Sequence, residues 1–333
     1  MQAFRPWDRR TNPPPPPAVL HQRARLAQVE PLPRETVSAL HRIEPARHAR
    51  VALRVIVLGL LCALALAQAR RPWIWPIAMV WQGSTILACT VLLHEVVHDT
   101  VVPAAVRHRA PWLQALLRWA YALPAALSPS QFERWHLDHH AHLGSATADP
   151  KRAYLSPRRN ARWLKALYFT PALFVLYMRA SGRAVATYPP HLRQCIRRER
   201  LVAIGIHLCL VAAWVGYGGW WLALRVHIGP LLLAFPLWFA LNRVGQHYEI
   251  DPADPVRWST RMHRQLFWEF TMLWSNHHHE HHLFPGVPFY NLPRLHRLLR
   301  EWGACDSEDD RSYRELLWGW LIRNQPPHAC WLD

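Results

Sequence analysis

Residues 73–98 read WIWPIAMVWQGSTILACTVLLHEVVH, an apolar stretch that runs directly into two histidines. Trp73–Leu93 contains no Asp, Glu, Lys or Arg. As a helix rising about 1.5 Å per residue, it would cover roughly 30 Å, the thickness of a bilayer core. His94 and His98 follow at a spacing of four, so both would project from one face of that helix. The stretch therefore predicts a membrane-spanning helix that ends in a pair of candidate metal ligands.

Further apolar stretches predict a bundle of four membrane helices. The predicted spans are 51–69, 73–93, 201–222 and 228–244, and Pro230 and Pro236 interrupt the last one. Two shorter apolar runs, Trp112–Leu127 and Trp163–Met178, contain prolines or charges and are expected to lie in the membrane interface. The expected fold class is all-α: an integral membrane four-helix bundle with a cytosolic helical cap that carries the histidines.

The predicted domain organisation has three parts. Residues 51–300 form the membrane domain, between a cytosolic N-terminal arm over 1–50 and a cytosolic C-terminal tail over 301–333. The run Pro13–Pro17 predicts that the arm is partly disordered.

The charge balance predicts which side of the membrane the cap faces. The chain has 39 Lys and Arg against 22 Asp and Glu, a formal net charge of +17. Section 94–200 alone holds 16 basic and 6 acidic side chains, which places it in the cytosol by the positive-inside rule. Beside apolar spans, this charge suits anionic lipid better than nucleic acid. Because almost all the basic residues are arginine, we expect a bacterial source and a location in the bacterial cytoplasmic membrane.

Nine histidines occur at spacings that would bring them together. They lie in HEVVH at 94–98, in HLDHH at 136–140, in HHEHH at 278–282 and alone at His247. Those that share a helix face or a span end are His94, His98, His136, His139, His140, His247, His278, His281 and His282. Counting the spans puts all nine on the same side of the membrane. One tetrahedral zinc needs only three or four protein ligands, so nine imidazoles suit two metal ions of higher coordination number.

Other interpretations of the histidines stay open. HExxH alone, at His94, Glu95 and His98, is also the motif of zinc metalloproteases, with the glutamate as general base. That hypothesis for a membrane zinc protease leaves the remaining histidines unexplained. A non-catalytic metal-binding protein or transporter is a further alternative, although the apolar runs contain few polar residues.

The remaining histidines and nearby carboxylates have weaker patterns. Four histidines are expected to be solvated or ordinary core residues: His207, His227, His263 and His296. Three others lie off the shared helix faces and would be supporting residues or have no role: His142, His277 and His279. Carboxylates beside the clusters could orient the imidazoles through the ring nitrogen that does not bind metal. These are Glu95, Asp99, Asp138 and Glu280.

The combined pattern HExxH, HxxHH and HxEHH in a four-span protein resembles the membrane fatty-acid desaturase superfamily. Residues 278–295, HHEHHLFPGVPFYNLPRL, are similar to the third histidine box of that family and its trailing segment. Residues 134–150, RWHLDHHAHLGSATADP, are similar to its second box, including the later Asp-Pro. The resemblance covers roughly residues 50–300.

The resemblance implies a fatty-acyl desaturase that introduces a C=C bond with O2 at a non-haem di-iron centre. The nine histidines would be the iron ligands, and a polar residue beside His247 would be Asn242 or Gln246. Similar boxes occur in hydroxylases and ketolases that act on a lipid, carotenoid or alkane, so that alternative remains. The chain has no haem, flavin or iron–sulfur motif, so two electrons would come from an external ferredoxin or cytochrome b5 type donor. The arginine-rich cytosolic face could steer such an acidic carrier.

Overall fold

The computed structural model describes residues 33–157, 159–248, 250, 259–302 and 310–326. Within these ranges the chain is helical and contains no β-strand, apart from one isolated bridge between Met262 and Arg311. The all-α prediction is thereby confirmed. The Pro13–Pro17 run and residues 303–309 and 327–333 of the predicted C-terminal tail lie outside the described residues.

Fourteen α-helices are described. They are α1 Arg34–Leu40, α2 Pro45–Gln68, α3 Ile74–Val97, α4 Ala104–Arg109, α5 Pro111–Ala122, α6 Pro129–Ala141, α7 Arg162–Leu167, α8 Ala172–Ala186, α9 Pro190–Ala223, α10 Phe235–Val244, α11 Leu266–Thr271, α12 His278–Leu283, α13 Leu292–Glu301 and α14 Tyr313–Leu317. Tighter or wider helical turns occur at Leu123–Ala125, Lys151–Leu155, Leu224–Ile228, Pro230–Ala234, Phe289–Asn291 and Trp318–Ile322.

Three helical stretches of the described chain are long and apolar enough to cross a membrane: Pro45–Gln68, Ile74–Val97 and Pro190–Val244. α2 begins six residues before its predicted start, at Pro45, whose fixed φ suits the first position of a helix. α3 is the central helix, because 61% of its most apolar window is buried, against 22% and 6% for the other two stretches. It also continues beyond Leu93, so that His94 belongs to its last turn.

The third stretch is a helical hairpin. His207 Nδ1 lies 2.9 Å from His227 Nε2, whereas 20 residues of straight helix would separate them by about 30 Å. The reversal lies at Gly218 and Gly219, whose backbones are not helical. Gly219 has φ +79°, a conformation that glycine adopts without strain. The predicted spans put a turn between Leu222 and Ile228. The chain instead stays helical there and turns four residues earlier.

Wide helical turns let the second arm of the hairpin continue through Pro230. Proline lacks the backbone N–H that an α-helix needs, and the wider turn at Pro230–Ala234 accommodates its absence. This segment packs closely on α3, because a Cβ added to Gly83 would lie 2.6 Å from the backbone carbon of Ala234. Glycine at position 83 therefore sets the distance between the central helix and the hairpin.

The two apolar runs expected at the interface are shorter helices than predicted. α5 ends at Ala122, and the chain then turns through Ala126, which has φ 54°. The second run is divided into α7 and α8, and Pro171 precedes α8. α6 begins shortly after the turn at Ala126, and the ligating nitrogens of His136 and His140 on α6 lie within 4.8 Å of those of His94 and His98 at the end of α3.

Candidate metal centre

Five of the predicted histidines form one group at the end of α3. The ligating nitrogens of His94, His98, His136, His140 and His281 all lie within 4.8 Å of one another. His98 Nε2 is 2.6 Å from His136 Nε2, and His281 Nε2 is 3.2 Å from His140 Nε2. We call these residues the five-histidine group.

The other four predicted histidines form a second, fully buried group. It consists of His139, His247, His278 and His282, again with all ligating nitrogens within 4.8 Å. His247 Nε2 lies 3.0 Å from His139 Nε2 and 2.9 Å from His278 Nε2. We call these residues the four-histidine group. All nine predicted histidines are thus brought together, in two sets.

The two groups are neighbours because single helices contribute to both. On α6, His136 and His140 face the five-histidine group, while His139 faces the four-histidine group. α12 does the same with His281 on one side and His282 on the other. The rings of His140 and His282 stack with centroids 4.4 Å apart across the boundary. Ser128 caps the N-terminus of α6 through a bond from the Gln131 N–H, which fixes where this helix starts.

Burial and the neighbouring histidines keep five of these imidazoles neutral. Desolvation lowers the pKa of the five well below the usual value, and the neighbouring histidines lower it further: His136, His140, His278, His281 and His282. Neutral imidazole is the form that binds metal. His94 Nε2 is buried within the five-histidine group and has no hydrogen-bond partner among the described residues. A buried nitrogen that lacks a partner among converging nitrogens fits a metal ion.

Two carboxylates accept hydrogen bonds from the Nδ1 atoms of histidine rings in the two groups. Glu95 Oε1 accepts from His94 Nδ1 at 3.1 Å, and its Oε2 accepts from Thr100 Oγ1 at 2.7 Å. Asp149 Oδ1 accepts from His139 Nδ1 at 2.9 Å. Asp149 had no predicted role, although the Asp-Pro pair that contains it was part of the resemblance. Because Asp149 lies ten residues after His139, the contact between them could not be predicted from helical spacing.

The three other carboxylates expected to support the clusters bind elsewhere. Asp138 accepts from Arg134 Nε at 2.9 Å, and Asp99 accepts from Gln114 Nε2 at 3.1 Å. Glu280 accepts from His296 Nδ1 at 2.6 Å. Burial alone would raise the Glu280 pKa, but this hydrogen bond and the adjacent histidines lower it to about 2. Glu280 therefore anchors α12 to α13 through His296.

The polar residues expected near His247 are close to the site. Asn242 is buried, and its Oδ1 has no hydrogen-bond partner within the described part of the chain. Gln246 Nε2 donates to Ser275 Oγ at 2.8 Å. Both residues line the cavity described below.

Most of the described histidines outside the nine form hydrogen bonds with one another or with nearby polar groups. His207 pairs with His227, as described above. His277 Nε2 lies 3.1 Å from Glu269 Oε1, and His279 Nδ1 lies 3.0 Å from Ser259 Oγ. His277, Glu280 and His296 are also close enough to form a third histidine–carboxylate cluster. Their contacts with Glu269 and with each other account for the positions of these three residues.

A cavity of about 290 Å³ opens beside the histidines, and we call it the histidine cavity. His94, His136, His278 and His281 form one wall. Most of the rest is apolar and comes from α3, α6, α8, α9 and α10, including Leu87, Val91, Leu173, Phe174, Phe235 and Phe239. The site thus places an apolar chamber directly against candidate metal ligands.

A second, open cleft of about 1120 Å³ lies between α1, the start of α2 and α13. Five arginines line it, and we call it the arginine cleft: Arg42, Arg47, Arg264, Arg294 and Arg297. Trp274 lines both this cleft and the histidine cavity. The backbone of Trp274 has φ 59°, a strained conformation for a tryptophan. Trp274 is therefore a residue that the basic surface and the histidine cavity share.

Comparison with known proteins shows which sequences this chain resembles. A family model described as fatty acid desaturase matches residues 70–315. The chain is 24% identical over 299 residues to a Homo sapiens sphingolipid delta(4)-desaturase/C4-monooxygenase, covering 86% of this chain and 84% of that protein. The Bos taurus protein of the same name is 24% identical over 297 residues, with the same coverage. A Drosophila melanogaster sphingolipid delta(4)-desaturase is 24% identical over 241 residues, covering 69% and 68%.

Proposed function

Because the chain belongs to the fatty acid desaturase family, we propose that it is a membrane desaturase that introduces a C=C bond into the acyl or alkyl chain of a lipid. Family membership makes it an oxidoreductase of lipid metabolism. The proposal adds the metal centre, the substrate chain and the source of electrons. The observation that carries it is the convergence of nine histidines beside an apolar cavity.

We propose that the two histidine groups hold one iron each. The five-histidine group would bind the first, and the four-histidine group would bind the second. The residues present fit this assignment, because the nitrogens converge, burial keeps five of the rings neutral, and His94 Nε2 has no hydrogen-bond partner among the described residues. Glu95 and Asp149 would fix the rings of His94 and His139 through their Nδ1 atoms.

The bound irons would supply O2 activation strong enough to remove hydrogen from an unactivated CH₂ group. The protein's own contribution is position and exclusion of water. The apolar wall of Leu87, Val91 and Phe235 would hold an extended chain, and the buried histidine wall would place one segment of it at the metals.

The proposed membrane arrangement has four crossings: α2, α3 and the two arms of the hairpin that turns at Gly218 and Gly219. The hairpin arms are long enough, since Pro190–Tyr217 and Trp220–Val244 would each exceed about 35 Å as helices. All nine histidines then lie at the same ends of these helices. The excess of arginine in section 94–200 supports a cytosolic position for those ends, and we propose a bacterial cytoplasmic membrane.

Electrons would arrive from a separate carrier of ferredoxin or cytochrome b5 type. The structure favours the arginine cleft as its docking surface over the arginines near the second histidine box. Arg162 there donates to the Leu321 and Ile322 carbonyls, so it serves the fold. Among the described residues no carboxylate pairs with Arg42, Arg294 or Arg297. An acidic carrier docked on these three would be separated from the histidine cavity by Trp274.

Hydroxylation is the second candidate function, because the human relative is named as a C4-monooxygenase as well as a desaturase. Insertion of oxygen and removal of hydrogen would use the same centre and differ in the placement of the C–H bond. The zinc-protease alternative is not retained, because the matched family is one of oxidoreductases. Glu95 would also be a poor general base, since His94, Thr100 and the Phe289 N–H already occupy its carboxylate.

Lipid mass spectrometry of cells with and without the expressed chain tests the proposal. A lipid class that loses two mass units indicates desaturation, whereas a gain of sixteen indicates hydroxylation. His278→Ala serves as the inactive control, because it removes a ligand of the four-histidine group. Expression that changes no lipid class, in cells shown to contain the carrier, would contradict the proposal.

A further inference from the structure

Among the described residues, those that line the histidine cavity are exposed in one region only. Of all the residues that line it, only Met178 and Ile204 are exposed, each at 51%. Met178 lies on α8 and Ile204 on α9, so the opening lies between these two helices. The other lining residues are buried or half-buried.

This opening faces the apolar surface of the hairpin. Next to Ile204 on α9, Leu201, Val202 and Leu208 are exposed at 60%, 47% and 64%. Exposed apolar side chains in such a row are what a lipid-facing helix presents. The row starts directly after Arg200, so Arg200 lies at the boundary between the polar and the apolar surface.

Two polar groups stand at the opening and are available to a ligand. Arg200 lines the cavity, where its guanidinium donates to Gln131 Oε1 at 2.6 Å and also to the hydroxyl of Ser181. These acceptors are neutral, and no carboxylate in the described chain pairs with Arg200. Tyr177 lines the same cavity, and its hydroxyl has no hydrogen-bond partner among the described residues. A half-buried cation held in place by neutral groups favours an oxygen-bearing ligand.

We propose that the substrate is a membrane-resident polar lipid that enters sideways between α8 and α9, with an oxygen of its head group bound by Arg200 and Tyr177. This inference rests on the proposed function and names its substrate class. The alternative is a water-soluble thioester that enters from the cytosol. The cavity volume agrees with a lipid held in part, because about 290 Å³ is at the lower end of pockets that enclose whole ligands. The rest of the molecule would stay in the bilayer.

Binding of the head-group oxygen at Arg200 also predicts which carbons of the lipid chain are oxidised. Gln131, which holds Arg200, precedes His136 by five residues on α6, a rise of about 8 Å. The bound oxygen is therefore close to the histidine wall. The oxidised carbons should lie near the polar end of the lipid, at a position counted from the head group.

Photo-cross-linking tests the inference without turnover. The full-length, iron-replete protein is placed in phosphatidylcholine vesicles without O2 or reductant. Three probes that carry a diazirine in the chain are compared: dihydroceramide, phosphatidic acid and acyl-coenzyme A added from the water phase. The two lipid probes distinguish a neutral from a phosphate head group, and at least one should label α8 and α9. The acyl-coenzyme A probe should not label them.

Matched variants locate the entrance and the anchor. Ile204→Trp should reduce lipid labelling at least about fivefold by filling the opening, whereas Leu208→Trp, one turn away and outside the cavity, should not. Tyr177→Phe and Arg200→Gln should each weaken labelling about fivefold or more, which is the value of one hydrogen bond. Arg179→Gln, exposed on α8 and outside the cavity, is the control for lost charge. Arg200→Lys should recover part of the labelling.

The outcomes are distinct. Labelling by acyl-coenzyme A alone, or lipid labelling that is unchanged in Ile204→Trp, Tyr177→Phe and Arg200→Gln, would overturn the inference. A chain that binds lipid between α8 and α9 but contains no iron would contradict the proposed function, and would show a lipid-binding site there without a substrate role. Near-wild-type iron content in each variant shows that the variant has folded.

Discussion

Asp149 Oδ1 accepts a hydrogen bond from His139 Nδ1 at 2.9 Å, and this contact ties the loop after α6 to the four-histidine group. The same carboxylate accepts from the backbone N–H of Gly144 at 3.1 Å and of Lys151 at 2.9 Å. Asp149 is therefore held on three sides. It fixes both the tautomer and the direction of the His139 ring, so that Nε2 faces the other three histidines.

Asp149→Asn should weaken iron binding at the four-histidine group. An asparagine can accept from His139 with its oxygen, but it lacks the charge that raises the basicity of the ring, and such losses typically cost about 10- to 100-fold in metal affinity. Titration of the iron-free protein with Fe²⁺ measures this. Asp138→Asn is the matched control, because Asp138 lies beside His139 and pairs with Arg134. Equal iron affinity in the two variants would contradict the role of Asp149.

Gly83→Ala should destabilise the fold by about 1–3 kcal/mol, because its Cβ would overlap the backbone of Ala234 on the hairpin. Gly205→Ala is the control, since a Cβ there meets nothing within 4 Å. Thermal unfolding in detergent, followed by circular dichroism, compares the two. A loss of stability in Gly205→Ala that equals that in Gly83→Ala would show that helix packing at Gly83 is not the cause.

The hairpin turn should lie outside the cell and the second histidine box inside. In a cysteine-free background, Tyr217→Cys should react with a membrane-impermeant maleimide in intact cells, because Tyr217 is 82% exposed next to the turn. Thr147→Cys, on the exposed loop after α6, should react only after the membrane is opened. Labelling of Thr147→Cys from outside would contradict the proposed topology.

Charge reversal in the arginine cleft should weaken docking of the electron carrier. Replacing Arg42, Arg294 and Arg297 together by Glu should raise the apparent KM for the carrier and remove most of its salt dependence, since steering by surface charge is screened within about 8 Å at physiological salt. Iron content should not change. The comparison variant replaces Arg193, Arg197 and Arg198, which are exposed at the start of α9. If only this second variant raises KM, the carrier docks there.

The helical class, the approximate positions of the apolar stretches and the convergence of the histidines could all be predicted from the sequence. Helical periodicity fixes which histidines share a face, and this is local information. The division of His139 from His136 and His140 could not be predicted, because it depends on how α6 and α12 cross. That crossing is set by packing between residues far apart in the chain.

Other features escaped sequence analysis for similar reasons. The reversal at Gly218 and Gly219 was placed later in the chain, because apolar residues on both sides of it hide the turn. Asp138 and Glu280 are next to metal-facing histidines in sequence, yet they point to Arg134 and His296. Proximity in sequence identified Glu95 as a partner of His94, but it did not distinguish Glu95 from Asp138 and Glu280, because adjacent residues on a helix face different directions.

The metal content of the protein, purified after anaerobic expression with ample iron, tests the central claim most directly. We expect two irons per chain in the wild type. His281→Ala, in the five-histidine group, and His278→Ala, in the four-histidine group, should each lose iron, and turnover should disappear in both. His263→Ala, an exposed histidine outside both groups, should keep two irons. One zinc and no iron per chain in the wild type would contradict the account.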